Sequence, residues 1–379
     1  MKKALILCSI FIALMLAACG DANDYYEEQD DPTQYVPQEV VELDEPDEPT
    51  EPEEPTEPTE PNEPNEPDIT EETAERVLDF VPSIDLDFAA EIFAIAQALW
   101  DEDDGQLMGV PLHAPLMIAD NRTRHAVTNM PDAHGRFIRH GDVYVGIVPD
   151  HITVVGNPET VSGTRWGAAA IRLYTSGDID KTEFIGLLIH EGFHAIQYYI
   201  ISGQRAIQNF SHFNEPEMRI SALLEIEALF AALRSNNDER LTHIHNALSL
   251  RNARRYGLPE SAVTSENQQE LTEGLAMLAE LMLAFADIEA ALERMESLWT
   301  SHRVGRALNT MSGYHRGFMY AMLLNEMGAD WIAGIDFDAD LGQLLQEHLG
   351  INELRTLEQQ DLEQYGYSAI VQIERVSVE

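Results

Sequence analysis

The chain has 379 residues, with 67 acidic and 23 basic side chains and a formal charge of −44. A field of that sign repels nucleic acid and anionic lipid, so both are excluded as partners. The only two cysteines, Cys8 and Cys19, lie near the N-terminus, which removes disulfides, cysteine-held metals and cysteine nucleophiles from whatever folds beyond them.

Met1-Lys2-Lys3 followed by the apolar run Ala4 to Met15 has the charged start and short apolar centre of a cleaved export signal, and is too short for a membrane span. Leu16-Ala17-Ala18-Cys19 looks like a lipobox. That implies removal of 1–18, acylation of Cys19 and a lipid anchor as the only membrane attachment, at a bacterial cell surface or the extracytoplasmic face of the membrane. From Gly20 to Glu75 there are 23 acids and no basic residue, with a Glu-Pro repeat running from Glu45-Pro46 to Glu66-Pro67. Prolines and like charges keep such a segment extended, and it has little apolar surface to bury, so 19–76 is expected to be a disordered acidic stalk. Residues 77–379 then form the folded part, in which 44 acids face 20 basic residues. That length suffices for one large core or two lobes.

In chain order, the spacing predicts a helix over Phe88–Trp100, a loop-rich stretch over Pro111–Asp132, and strands over Asp142–Val148, His151–Val155 and Trp166–Tyr174. Beyond Tyr174 the pattern is helical over 181–202, about 216–234, 238–254, 267–285, 286–299, 313–328 and 340–348, with a closing strand over Ser368–Val378. The fold class is α+β, a small N-terminal sheet followed by a mostly helical lobe.

The helix at 181–202 carries the chemistry. Asp180 stands three residues before Glu183 as an N-cap, no proline interrupts the run, and Ser202-Gly203 stops it. It contains His190-Glu191-Gly192-Phe193-His194, the H-E-x-x-H pattern. Histidines four apart lie about 40° apart around the axis, so both imidazoles leave one face and can share an ion. Glu191 sits about 100° round from His190, within reach of a water at that ion without being a ligand. Phe184, Leu187, Leu188, Ile189, Phe193 and Ile196 give the apolar shell that strengthens an ion's effect on its surroundings.

Two glutamates compete for third ligand. Glu273 lies in Leu271-Thr-Glu-Gly-Leu-Ala276. Glu225 lies in the apolar segment Leu223-Leu-Glu-Ile-Glu-Ala-Leu229, where an unpaired carboxylate is costly and asks for the metal or for an arginine such as Arg219 or Arg234. Glu215 and Glu217 flank Pro216 and read as a helix start. Asp336, Asp338, Asp340 and Glu347 mimic a calcium loop, but Leu341 stands where that loop needs glycine, so a helix N-terminus is expected there instead.

With these residues the chain resembles the gluzincins, zinc metallopeptidases with H-E-x-x-H and a downstream glutamate. Thr272-Glu273-Gly274-Leu275-Ala276 is similar to the N-E-G-F-A segment of their aminopeptidase branch. The stretch from roughly Gly141 to Ile335 also resembles uncharacterised bacterial H-E-x-x-H proteins. The resemblance implies a zincin-like fold and one Zn²⁺ held by His190, His194 and Glu273, with Glu225 as the alternative third ligand. It implies Glu191 as general base and a peptide or protein as substrate. It also implies an oxyanion-stabilising Tyr or His, with Tyr314, His315 and Tyr320 as candidates, and a strand at 166–174 beside the cleft that can pair with an extended peptide. The competing expectation is a non-catalytic surface lipoprotein that keeps this scaffold and binds a cell-wall or extracellular ligand.

Overall fold

A computed structural model describes residues 78–376 apart from 286 and 303–306. The signal, Cys19 and the stalk lie outside the described residues. What is described is α+β, a six-stranded mixed sheet followed by a mostly helical remainder. Among the described residues no helix is long and apolar enough to cross a membrane.

A first helix, α1 (Leu86–Asp103), is capped by the Asp85 side chain. The strands follow: β1 (Leu116–Ala119), β2 (His125–Thr128), β3 (Ile138–His140), β4 (Val143–Ile147), β5 (Gly156–Val161) and β6 (Thr164–Ala170). They lie in the order β3-β4-β2-β1-β6-β5, antiparallel except for the β1–β6 pair. Both faces of the sheet are buried. Leu116, Ile118, Val127 and Ala169 join the main core with the helices, while Met117, Ala119, Ala126, Trp166 and Ala168 face a smaller cluster.

That two-sided burial corrects two sequence expectations. The stretch over Pro111–Asp132 holds the β1–β2 hairpin; β1 is apolar throughout and so lacks the alternation that marks a half-exposed strand. His151–Val155 is not a strand: Val148, Ile152 and Val154 cover the outer face of the sheet. Its backbone is satisfied by side chains instead, with Asn121 pairing both polar groups of Val154 and Arg124 donating to the Pro149 and Ile152 carbonyls. β5, over residues for which no strand is predicted, contains Pro158 but is an edge strand, where a missing N–H is tolerated.

The strand expected over Trp166–Tyr174 ends at Ala170, and residues Ile171–Thr175 form a short helix, α2. β6 is paired on both sides, by β1 and β5, so its backbone is not free to receive a peptide as expected. It serves as a floor for α3 (Lys181–Ile200), the helix of the H-E-x-x-H pattern, which begins with the expected Asp180–Glu183 capping box. The two backbones almost touch: a Cβ added at Gly167 would lie 2.2 Å from the Gly192 nitrogen. Gly167→Ala is therefore expected to cost about 1–3 kcal/mol or more, since backbone must move, read as a lowered thermal midpoint.

The remaining helices are α4 (Pro216–Arg234), α5 (Asn237–Arg255), α6 (Glu260–Gln269), α7 (Leu275–Ala284), α8 (Ile288–His302), α9 (Ala307–Glu326), α10 (Leu341–His348), α11 (Gln359–Leu362) and α12 (Tyr367–Val376). Pro216 takes the first turn of α4, as its flanking acids suggest. Two further corrections arise here. The helix expected over 267–285 is interrupted by a wide π turn, Glu270–Gly274, between α6 and α7. The expected C-terminal strand over Ser368–Val378 is the helix α12, which buries Ile370 in the core and pairs Glu374 with Arg219; 377–378 lie outside the described residues.

Candidate metal centre

Helix α3 lies between β6 on one side and α7 on the other, which buries its middle completely. His190 and Glu191 are each 1% exposed, His194 8% and Glu273 7%. The two imidazoles turn their Nε2 atoms to one point, 3.2 Å apart. Glu273 completes the triangle, its Oε2 3.2 Å from His194 Nε2 and 3.8 Å from His190 Nε2. Bonds of about 2.0–2.1 Å at tetrahedral angles place ligand atoms about 3.3 Å apart. The spacing thus suits a single tetrahedral ion, and the buried His190–His194–Glu273 group can bind a metal ion.

The electrostatics ask for a cation there. Burial alone would lower the His190 pKa, yet the adjoining carboxylates of Glu273 and Glu280 raise it to about 10, so that a proton stands in for positive charge. Burial would raise Glu273, but the imidazoles of His194 and His190 hold it well below the usual carboxylate range. Glu191 differs: burial pushes it up to about 7, against the pull of the two histidines. The Oε2 atoms of Glu191 and Glu273 are buried without a hydrogen-bond partner. A buried acceptor left unpaired is costly, and an ion with its water would satisfy both.

Each histidine is held by its other nitrogen. His190 Nδ1 meets Glu280 Oε2 at 3.0 Å, and His194 Nδ1 meets Gln197 Oε1 at 2.7 Å. Such contacts fix the tautomer that leaves Nε2 free for a metal. Neither Glu280 nor Gln197 was among the sequence candidates. The signal was present: Glu280 is an acid inside the apolar run Leu275–Ala284, and Gln197 is one turn beyond His194. Glu280→Gln is expected to weaken metal binding by about 10- to 100-fold, measured by competition with a chromogenic chelator.

The π turn explains how Glu273 reaches α3. Glu270 and Glu273, three apart, would share a face of an ordinary helix. Here the widened turn sends Glu270 to Arg251 and Arg316, and Glu273 to the histidines. The bulge needs a glycine-lined neighbour. Added Cβ atoms would lie 2.2 Å from the Glu270 carbonyl oxygen at Gly317, and 2.4 Å from Gly317 Cα at Gly274. The same approach lays the Tyr314 ring over His190, with centroids 5.9 Å apart and planes 12° from parallel.

The other candidates lie elsewhere. Glu225 is no part of the metal group; it accepts from Arg251, Arg254 and Tyr320 in a buried ionic network. The arginines named for it pair differently, Arg219 with Glu374 and Arg234 with Glu296. Tyr320 is thereby committed to Glu225, and His315 Nδ1 meets the Met311 carbonyl while its ring packs on Trp299, so of the three oxyanion candidates only Tyr314 touches the centre. Asp340 caps α10 and pairs with Arg251 and Arg255, in keeping with a helix start instead of a calcium loop. No protein-family model, curated protein or solved structure matches this chain.

Proposed function

We propose that the chain is a zinc metallopeptidase of the gluzincin type, with a zincin-like fold and a surface location given by lipidated Cys19. The observation that carries this reading is the convergence of His190 Nε2, His194 Nε2 and Glu273 Oε2 on one point, beside the unpaired buried carboxyl of Glu191. The nitrogen-rich donor set and its tetrahedral spacing favour Zn²⁺ over Mg²⁺ or Ca²⁺, which take oxygen ligands. When bound, zinc supplies Lewis acidity, polarising the scissile carbonyl and acidifying a water.

The chain's own residues do the rest. Glu191, buried beside the ligand triangle with its Oε2 unpaired, is placed to take a proton from the attacking water and pass it to the leaving amine. Glu280 and Gln197 hold the imidazoles in place. Tyr314 covers the His190 ring and excludes water from that side, leaving the less buried side of His194 and Glu273 as the approach for a peptide.

The test uses the full chain. Wild type is expected to carry one zinc and to cleave peptides from a mixed library. His194→Ala is expected to lose both. Wild type free of zinc after dialysis against zinc buffer, or full zinc in His194→Ala, would overturn the assignment. Stoichiometric zinc with no cleavage would favour the binding-only lipoprotein.

A further inference from the structure

We propose that Arg165 and Tyr198 form a carboxylate-reading subsite beside the metal centre, so that favoured substrates present an acidic side chain or a free C-terminal carboxylate there. This rests on the peptidase reading above and adds a substrate class to it.

Alternation along β6 puts Arg165 on the face of Gly167, the residue packed on Gly192 of α3. β6 runs against α3, so two residues before Gly167 the strand reaches the next turn of the helix. There the Arg165 Nε donates to the His194 carbonyl at 3.4 Å, and its guanidinium lies over the Tyr198 ring, 5.6 Å from the centroid. At about 100° per residue, Tyr198 falls about 80° round from His190, between His194 and Glu191. It is therefore on the side of the helix where substrate must meet both the ion and the base. Tyr198 is 48% exposed, and its other contact, an edge-on packing with Phe337, fixes the ring.

Among the described residues Arg165 has no carboxylate partner: no acid oxygen lies within 4.0 Å of its nitrogens. The acid near enough to feel its charge, Glu159, sits opposite Trp166 on the other face of the hairpin and takes a hydrogen bond from Asn157. An unpaired cation held at the catalytic helix is conspicuous in a chain of charge −44. Its Nε is spent on the helix backbone and the residue is exposed, which leaves the two terminal nitrogens available to a carboxylate. Tyr198 holds the guanidinium plane in place from below. The surrounding negative field repels acidic peptides, so their selection requires such a local cation.

The experiment profiles cleavage of a mixed peptide library by the zinc-loaded full chain, reading the new ends by mass spectrometry. Matched peptides follow with Glu or Gln at the enriched position and with a free or amidated C-terminus. These arms separate a side-chain source of the carboxylate from a terminal one. Wild type is expected to favour the carboxylate member roughly five- to tenfold, mostly through KM. Arg165→Gln, with zinc content verified, is expected to reduce that ratio to about one, and Arg165→Glu to reverse it toward basic residues. No acidic preference in wild type, or an undiminished one in Arg165→Gln, overturns the subsite while leaving the peptidase standing. A zinc-loaded wild type that cleaves nothing removes the peptidase and the subsite together.

Discussion

Glu191→Gln is expected to keep its zinc and lose about a hundred- to ten-thousand-fold in kcat. The carboxyl belongs to the site without belonging to the ligand triangle, which is closed by His190, His194 and Glu273. An amide of the same shape fits the same space, so the ion should stay. It cannot take a proton from water, which is the property the proposed turnover needs from this side chain. Stability is expected to move the other way. Glu191 is 1% exposed and its pKa is raised to about 7 by burial, so without the ion the fold bears the cost of a buried charge at and above neutrality. A neutral amide relieves it, and the thermal midpoint of the zinc-stripped variant should match or exceed that of zinc-stripped wild type. Metal content, kcat on a fluorogenic peptide and the midpoint after zinc removal, measured on one preparation, check all three. Normal turnover by the zinc-loaded variant would leave Glu191 with no role in the reaction.

How much of this is legible in the linear sequence depends on whether the information is local. The capping box of α3, its length and the shared face of His190 and His194 follow from spacing alone. The third ligand does not, because two glutamates in apolar helices look alike until their partners are known. Glu225 and Glu273 both pose the cost of a buried carboxylate; the fold answers one with Arg251 and Arg254 and the other with two imidazoles. The π turn is equally hidden. Residues 267–285 carry an unbroken helical pattern, and the bulge sits where Gly317 of α9 lets its backbone press in, with Gly313 making room for the Gln269 side chain. The differences in the sheet have the same cause: β1, which the pattern does not predict, is covered on both faces, and the segment at 151–155, which it predicts as a strand, spends its apolar residues on covering the sheet.

The largest loss of stability is expected from Glu270→Ala, at the start of the π turn. Arg251, Arg254 and Arg316 are buried with Glu225, Glu266 and Glu270, and half-buried Arg255 and Asp340 close the network, four positive charges against four negative. Glu270 receives Arg251 at 2.7 Å and Arg316 at 2.8 Å. Removing it leaves guanidinium charge buried and uncompensated, a loss of about 3–5 kcal/mol. Burial acts to raise the pKa of Glu266 and Glu270, but Arg254 and Arg251 respectively outweigh it, and both acids are held below the ordinary carboxylate range. Since their folded pKa values are depressed, the stability they contribute is complete above the unfolded value of about 4.3 and drains away as pH falls toward the folded ones. Wild type should therefore lose stability steeply below about pH 4, and Glu270→Ala, having already lost one of these carboxylates, should show a shallower slope. Urea midpoints at neutral pH and through the acid range would show it. The same substitution should weaken zinc binding, because Glu270 anchors the turn that presents Glu273 three residues on. A variant as stable as wild type at neutral pH, with zinc affinity intact, would mean that the network neither supports the fold nor aims the ligand.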